Sequence, residues 1–322
     1  MSGKPDLSVV LPTLDESDGL KVLLPRLRAL FDKLGVRGEV LIVDGGSKDD
    51  TAAVAEAHGA RVMRQQGRGF GSAVREGIAA AAADRVVLMD ADGSHAPEAL
   101  EAFWARRGDA ELIVGSRYCR GGSAQMDMTR QILSRSLNLV SRRVLELTVR
   151  ESSSGFRLYS GPAARAVQSG ATDFSVQQDL MVGILAAGGR VIELPIHYAP
   201  RVGGISKANA WKLAPAYVRL LLRLKPRRGG WRAETGLALV LAGAACAGWR
   251  GFGGAAAAFF LAAGALCVHE TIRLRGDRLA GVLAAAAWPA AALAGAPLAT
   301  PWAAFAAFGV LLAAGAADSV FP

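Results

Sequence analysis

The sequence predicts an α/β domain on a mostly parallel sheet, followed by an all-α transmembrane domain of about four helices. Three observations carry this expectation. Short apolar, β-branched runs alternate with helical stretches as far as Gly115. Two of those runs end on acidic residues, Asp44 and Asp90. From Gly236 onward the chain is almost free of charge.

The elements follow in order. Leu7–Pro12 is a β-rich run ended by proline, and Asp18–Leu34 carries leucines at helical spacing (Leu20, Leu23, Leu24, Leu27, Leu30, Leu34). Glu39–Asp44 is a strand, Thr51–His58 a helix and Arg61–Met63 a short strand. Ser72–Ala83 is helical, Arg85–Asp90 a fourth strand, Ala96–Arg107 a helix and Glu111–Gly115 a fifth strand. Ligands of such sheets bind beyond the carboxyl ends of the strands. No GxGxxG follows the first strand and no Walker lysine motif occurs, which argues against dehydrogenase and P-loop functions.

The back half reads differently. Gly236–Trp249 and Gly251–Val268 are apolar, and Leu279–Ala317 contains no charged residue. A span needs about 20 residues, so four helices are expected, near 233–250, 251–270, 279–297 and 300–318. Residues 1–200 then form the α/β domain, 201–232 a juxtamembrane segment and 233–322 the membrane domain. Lys225, Arg227, Arg228 and Arg232 precede the first span, and Arg273, Arg275 and Arg278 lie between the second and third. The positive-inside rule puts both chain ends and the α/β domain in the cytoplasm, in a multi-pass protein of the cell membrane. The competing reading, an Ala-rich soluble bundle, lacks a polar face over Leu279–Ala317. The polar N-terminus shows no signal-peptide pattern.

Composition excludes other classes. At 52% hydrophobic the chain is neither disordered nor collagen-like, and three cysteines without CxxC spacing fit neither a disulfide framework nor a zinc site. The formal charge is +9, of which residues 229–322 supply only +1. That charge suits a membrane surface and anionic substrates, and nothing points to nucleic acid.

Several motifs can carry chemistry. Asp90-Ala91-Asp92, two carboxylates at a strand end, can share a hard divalent cation, Mg²⁺ or Mn²⁺, that also takes phosphate oxygens. The bland alternative is a cap for the helix near Pro97. Asp44-Gly-Gly-Ser47 is either a nucleoside-binding turn or an ordinary βα turn capped by Ser47 or Asp49. Gly67–Gly71 is either a phosphate cradle at a helix N-terminus or a flexible connection. Over residues 129–148, Leu133, Leu137, Val140, Val144 and Leu147 recur at three- and four-residue spacing, with Arg135, Arg142 and Arg143 on other faces. This is an amphipathic basic helix suited to a membrane surface, or one packed on the sheet.

Taken together and in order, Leu11–Glu16, Val43–Ser47, Met89–His95, Gly115–Tyr118, Ser154–Tyr159 and Arg201 with Ser206-Lys207 resemble the family-2 glycosyltransferases, in the polyprenyl (dolichyl) phosphate mannose synthase branch. The resemblance implies a GT-A fold and a nucleotide sugar donor. It implies that Pro12, Leu14, Glu16, Val43 and Asp44 line the nucleoside pocket, with Ala91, Ser94 and Lys207 also on the donor side. Asp90 and Asp92 would hold the metal and diphosphate, and Arg201 would lie near the reacting phosphates. Arg117, Arg130 and Ser134 match positions that grip the lipid phosphate. Asp179 matches an acidic position that orients the sugar or pairs within a helix, and Glu151 stands where the family has Asp. The chain departs from the family pattern at Leu14 (usually aromatic), Asp15 (usually Asn), Gly45 (usually acidic) and Ser94 (often Gln).

The expectation is a membrane-bound inverting transferase moving a hexose, mannose from GDP-mannose, to polyprenyl phosphate at the cytoplasmic face. Its rivals are an undecaprenyl-phosphate glucosyltransferase or other lipid-directed family-2 enzyme, a sugar-nucleotide nucleotidyltransferase, and a catalytically silent polyprenyl-lipid carrier.

Overall fold

The computed structural model describes residues 3–126 and 145–200, together with positions 131, 134, 135, 137–139, 141, 142 and 224. The chain divides into two units, Met1–Arg228 and Gly229–Pro322. Arg130, Arg201, Lys207 and the four expected spans lie outside the described residues, as does part of the expected 129–148 helix. That helix is present at the described positions from 131 to 142 but has ended by Leu145, and Glu146 is left-handed (φ 52). Among the described residues no helix is long and apolar enough to cross a membrane.

A seven-stranded sheet forms the frame. Its strands are β1 (Leu7–Thr13), β2 (Gly38–Asp44), β3 (Arg61–Arg64), β4 (Arg85–Leu88), β5 (Leu112–Ser116), β7 (Arg157–Ser160) and β8 (Val191–Pro195), in the order β3-β2-β1-β4-β7-β5-β8. A small second sheet pairs β6 (Ser123–Ala124) with β9 (His197–Tyr198). All pairs of the large sheet are parallel except those of β7, which runs antiparallel to both β4 and β5. The sequence reading found the five parallel strands of the front half. It left β7 inside a motif and did not assign β8.

The helices are α1 (Ser17–Leu34), α2 (Thr51–Ala57), α3 (Phe70–Ala80), α4 (Leu100–Ala105), α5 (Gly161–Ala166) and α6 (Val176–Ala186). α1 shows how pattern becomes packing. Leu20, Leu23, Leu24, Leu27, Leu30 and Phe31 are buried and join Val9, Leu11, Ile42 and Val87 of the sheet in one core. Each such side chain contributes about 2 kcal/mol of transfer free energy. Pro25 is tolerated inside α1 because it lies on the exposed face. Gly35 stops the helix in a left-handed conformation (φ 63), and the Val36 N–H closes back on the Phe31 carbonyl at 3.1 Å. The expected helix at 96–107 is shorter than anticipated, a 3₁₀ turn at Pro97–Ala99 running into α4.

Two features of the sheet determine where chemistry can occur. β1 and β4 are neighbours, and the chain winds outward from them in opposite directions, so a crevice opens at their carboxyl ends. β7 enters the sheet in reverse, with Arg157 level with Leu88 and Val114. Its leading loop, residues 150–156, therefore sits at the same edge as the tips of the parallel strands.

Candidate active site

The tips of β1 and β2 are laced together. Register places Pro12 beside Val43 and Thr13 beside Asp44. Asp15 is left-handed (φ 52), a conformation that Asn and Asp tolerate better than most side chains. Its N–H donates to Ser47 Oγ at 2.9 Å, and its carboxylate accepts the Lys48 N–H at 2.7 Å. The Glu16 N–H donates to Thr51 Oγ1 at 2.9 Å, and that of Ser17 to Asp49 Oδ2 at 3.1 Å. Partial burial opposes ionisation of Asp49, but hydrogen bonds from Thr51 and Ser17 outweigh it and hold the carboxyl down to about 2. Ser47 and Asp49 thus tie two loops together; neither is the expected N-cap of α2, which is Asp50, although Asp49 accepts the Thr51 N–H at 3.0 Å. Asp44 accepts the Ser47 N–H at both oxygens, at 3.1 and 3.3 Å, and the Ser47 hydroxyl as well. Leu14 is 39% exposed, Pro12 and Glu16 are half-buried, and Val43 is fully buried. Val43 is thus closed off as a whole residue and supports the strand tip from beneath, offering a ligand no exposed surface.

The tip of β4 carries the paired acids. The strand ends at Leu88, so Asp90 and Asp92 stand in the turn beyond it. Asp92 is 3% exposed, and its Oδ1 accepts the N–H and hydroxyl of Ser94 at 2.9 and 2.5 Å. It does not cap the turn at Pro97, where no side-chain cap occurs. His95 is buried between the rings of Phe156 and Tyr198, and its Nδ1 accepts the Asp90 N–H at 3.3 Å. Burial pushes its pKa down despite the nearby Asp90 and Asp92, so the ring stays neutral and acts as a wedge beneath the acids. The Ala199 N–H donates to the Ser94 carbonyl at 2.9 Å and closes the turn from the β9 side.

The reversed strand brings the remaining wall. A Cβ at Gly155 would stand 3.0 and 3.2 Å from the Asp90 carboxylate oxygens, so only glycine leaves that space open. The oxygens of Asp90 and Asp92 are hard donors, and their setting fits Mg²⁺ or Mn²⁺. Among the described residues no group of three or more His, Cys, Asp or Glu could hold a metal. A cation at the pair would therefore need further oxygens from a substrate.

Arg117, just beyond β5, faces this loop. Its Nε donates to Glu151 Oε2 at 3.0 Å, its Nη2 to Glu151 Oε1, and its backbone N–H to Glu151 Oε2 at 2.9 Å. Nη2 also reaches Ser153 Oγ at 3.2 Å and Ser134 Oγ at 3.4 Å. Burial alone would lower the guanidinium pKa, but the Glu151 carboxylate raises it above its ordinary value. Asn138 is the hub. It donates to Ser134 O and Ser153 Oγ, each at 2.9 Å, and accepts the Ser152 N–H at 2.7 Å. Position 138 is helical, as are the other described positions between 131 and 142. That stretch is thus stapled to the loop that meets Asp90.

Sequence reasoning missed the groups that hold this wall. Arg157 is fully buried and donates to three backbone carbonyls, those of Ser154 (2.8 Å), Gln177 (2.6 Å) and Ser152 (2.6 Å). Its place in the Ser-Gly-Phe-Arg motif was the only signal. Asp179 of α6 is buried and accepts the Ser169 hydroxyl at 2.6 Å. Gly67–Gly71 is a packing loop: the Gly71 N–H donates to the Thr172 carbonyl at 2.9 Å, and Phe70 stacks on Phe174. The Gly71 donor at the start of α3 is thus already engaged by protein.

Fold and site together define a GT-A-like α/β domain with paired acids at the topological switch point. Residues 8–167 match the model of glycosyl transferase family 2. Polyprenol monophosphomannose synthase of Mycolicibacterium smegmatis is 30% identical over 232 residues, covering 66% of this chain and 84% of that one. Undecaprenyl-phosphate mannosyltransferase of Micrococcus luteus is 30% identical over 242 residues, covering 71% and 98%. Glucosyl-3-phosphoglycerate synthase from Mycobacterium tuberculosis, solved with Mn²⁺, UDP and glucosyl-3-phosphoglycerate, shares the fold at 21% identity (TM-score 0.55, covering 70% of this chain and 80% of that one). The same enzyme has been solved with Mg²⁺ and UDP. This chain belongs to glycosyl transferase family 2 and is a glycosyltransferase.

Proposed function

We propose that the protein transfers a hexose, mannose from GDP-mannose, to the phosphate of a polyprenyl lipid at the cytoplasmic face of a membrane. The observation that carries the reading is the meeting of the Asp90–Asp92 turn with the loop that fixes Arg117. Leaving-group carboxylates and a phosphate-binding guanidinium then share one edge of the sheet. The names of the two 30%-identical relatives support a lipid phosphate acceptor.

Asp90 and Asp92 would hold Mg²⁺ or Mn²⁺, which offsets the charge of the departing diphosphate when bound. Pro12, Leu14, Glu16 and Asp44 present the strand tips to the nucleoside, while Ser94 and His95 keep the acids in place. Arg117, Arg130 and Ser134 hold the acceptor phosphate, Arg117 from a guanidinium already oriented by Glu151. Arg201 and Lys207 add positive charge near the reacting phosphates. A phosphate oxygen attacks the anomeric carbon in line as the bond to the diphosphate oxygen breaks, inverting the centre. A phosphate monoester is largely dianionic at neutral pH, since its second pKa is about 6. No dedicated base is needed, and the protein's work is positioning and charge neutralisation. The basic helical stretch that includes residues 131–142 would rest on the anionic leaflet, and four spans within 233–322 would anchor the enzyme.

The test is the purified full-length chain with Mg²⁺ or Mn²⁺, a panel of nucleotide sugars and a polyprenyl phosphate. Lipid-linked mannose from GDP-mannose is expected. Asp92→Ala should abolish transfer while leaving the melting temperature within a few degrees of the parent. Transfer of glucose from UDP-glucose alone would replace the mannose reading, and no transfer from any donor would overturn the whole.

A further inference from the structure

The strand tips hold a polar group that no motif pointed to. Gln65 follows β3, and its N–H donates to the Asp44 carbonyl at 2.8 Å, so it stands level with the end of β2. Its Nε2 donates to the Gly69 carbonyl at 2.7 Å. That bond fixes the amide, because a flipped carboxamide would set oxygen against oxygen. Oε1 therefore points the other way, toward Gly45. A Cβ at Gly45 would stand 3.2 Å from Gln65 Oε1, 3.3 Å from the Thr13 carbonyl and 3.8 Å from Leu14 Cδ1. The Thr13 carbonyl already accepts the Gly45 N–H at 2.9 Å. The three strand tips thus carry an exposed apolar face, Leu14, and an oriented acceptor, Gln65, packed close against the bare Cα of Gly45. Asp44, the acid in this turn, has both oxygens engaged by Ser47.

We propose that Gln65 is a specificity-determining residue for the donor nucleobase, its Oε1 accepting a ring N–H from a base seated against Leu14 at the strand tips. The inference rests on the nucleotide-sugar reading above. Guanine and uracil carry a ring N–H on their pairing edge, whereas adenine and cytosine carry a bare acceptor nitrogen there. An acceptor set against the ring position bonds the first pair, whereas in the second it meets a ring lone pair and can be reached only by the neighbouring exocyclic amine. Gln65 is half-buried, so the discrimination expected is that of one partly solvated hydrogen bond.

The test is calorimetric binding of GDP, UDP, ADP and CDP to the full-length protein in detergent with Mg²⁺. The wild type should bind GDP or UDP at least tenfold more tightly than ADP and CDP. Gln65→Leu should weaken the preferred nucleotide about tenfold, the size of one hydrogen bond, and change ADP and CDP less than twofold. Gly45→Ala, whose methyl would stand 3.2 Å from Gln65 Oε1 and push the amide aside, should also weaken the preferred nucleotide. Equal binding of all four bases, or unchanged GDP and UDP affinity in Gln65→Leu, would overturn the inference while sparing the donor reading. A wild type that binds no nucleoside diphosphate would overturn both.

Discussion

The two rims of the site are built by opposite strategies. The rim at the tips of β1, β2 and β3, the proposed donor side, is made of exposed or half-buried loops joined by hydrogen bonds between short polar side chains and backbone. The opposite rim, around residues 116–118 and 150–157, is made of buried charge. Glu151 and Arg157 are both 0% exposed, one paired with Arg117 and the other capping three carbonyls. Water can replace much of what is lost at the first rim. At the second, removing one partner leaves a desolvated group with nothing to take its place. Donor preference can therefore change by single substitutions, whereas the Arg117 wall changes only as a unit.

The largest test of that contrast is Arg157→Leu. Three buried carbonyls lose a charged donor, and chemical denaturation should report a loss of about 3–5 kcal/mol. A loss under 1 kcal/mol would mean that water reaches this rim as well. Next is Gly155→Ala, whose new methyl would press on the Asp90 carboxylate. Turnover should fall about tenfold or more, since small misplacements of reacting groups are costly, while stability changes by only about 1 kcal/mol. Wild-type turnover would separate the reversed loop from the paired acids. The smallest effect is expected on the donor rim, at Asp49. Its folded pKa of about 2 lies below the ordinary 3.8, so the unfolded chain takes up the proton first. The stability it contributes is complete above about pH 4 and is lost as pH falls through 2. Because the carboxylate is exposed, that contribution is under about 1 kcal/mol after solvent screening. Asp49→Asn should flatten the acid limb of the unfolding curve by that amount, and an unchanged limb would remove Asp49 from the lacing.

Legibility differed between the rims for the same reason. The β1, β2 and β4 strands are apolar runs with acids at their ends, so their order and their tips could be read along the chain. Asp90 and Asp92 lie two residues apart, and the DxD pattern is local. The Arg117–Glu151 pair spans 34 residues and Arg157 reaches Gln177 across 20, so no periodicity marks either. Glu151 was read only as a departure from Asp. The glycines at 67–71 left two readings open because a loop that admits a ligand and a loop that admits another backbone have the same composition. Gln65 carried no signal at all, since its orientation depends on the Gly69 carbonyl and the bare Cα of Gly45.

The residue order by itself determined the alternation of strands and helices, the acids at the strand ends and the membership of family 2, because burial and turn chemistry act over a few neighbouring residues. Only the tertiary structure decided that β7 enters the sheet in reverse. That reversal carries Gly155 to Asp90 and Glu151 to Arg117, and it follows from which edges of the sheet remain to be paired, a property of the assembled strands and of no single segment.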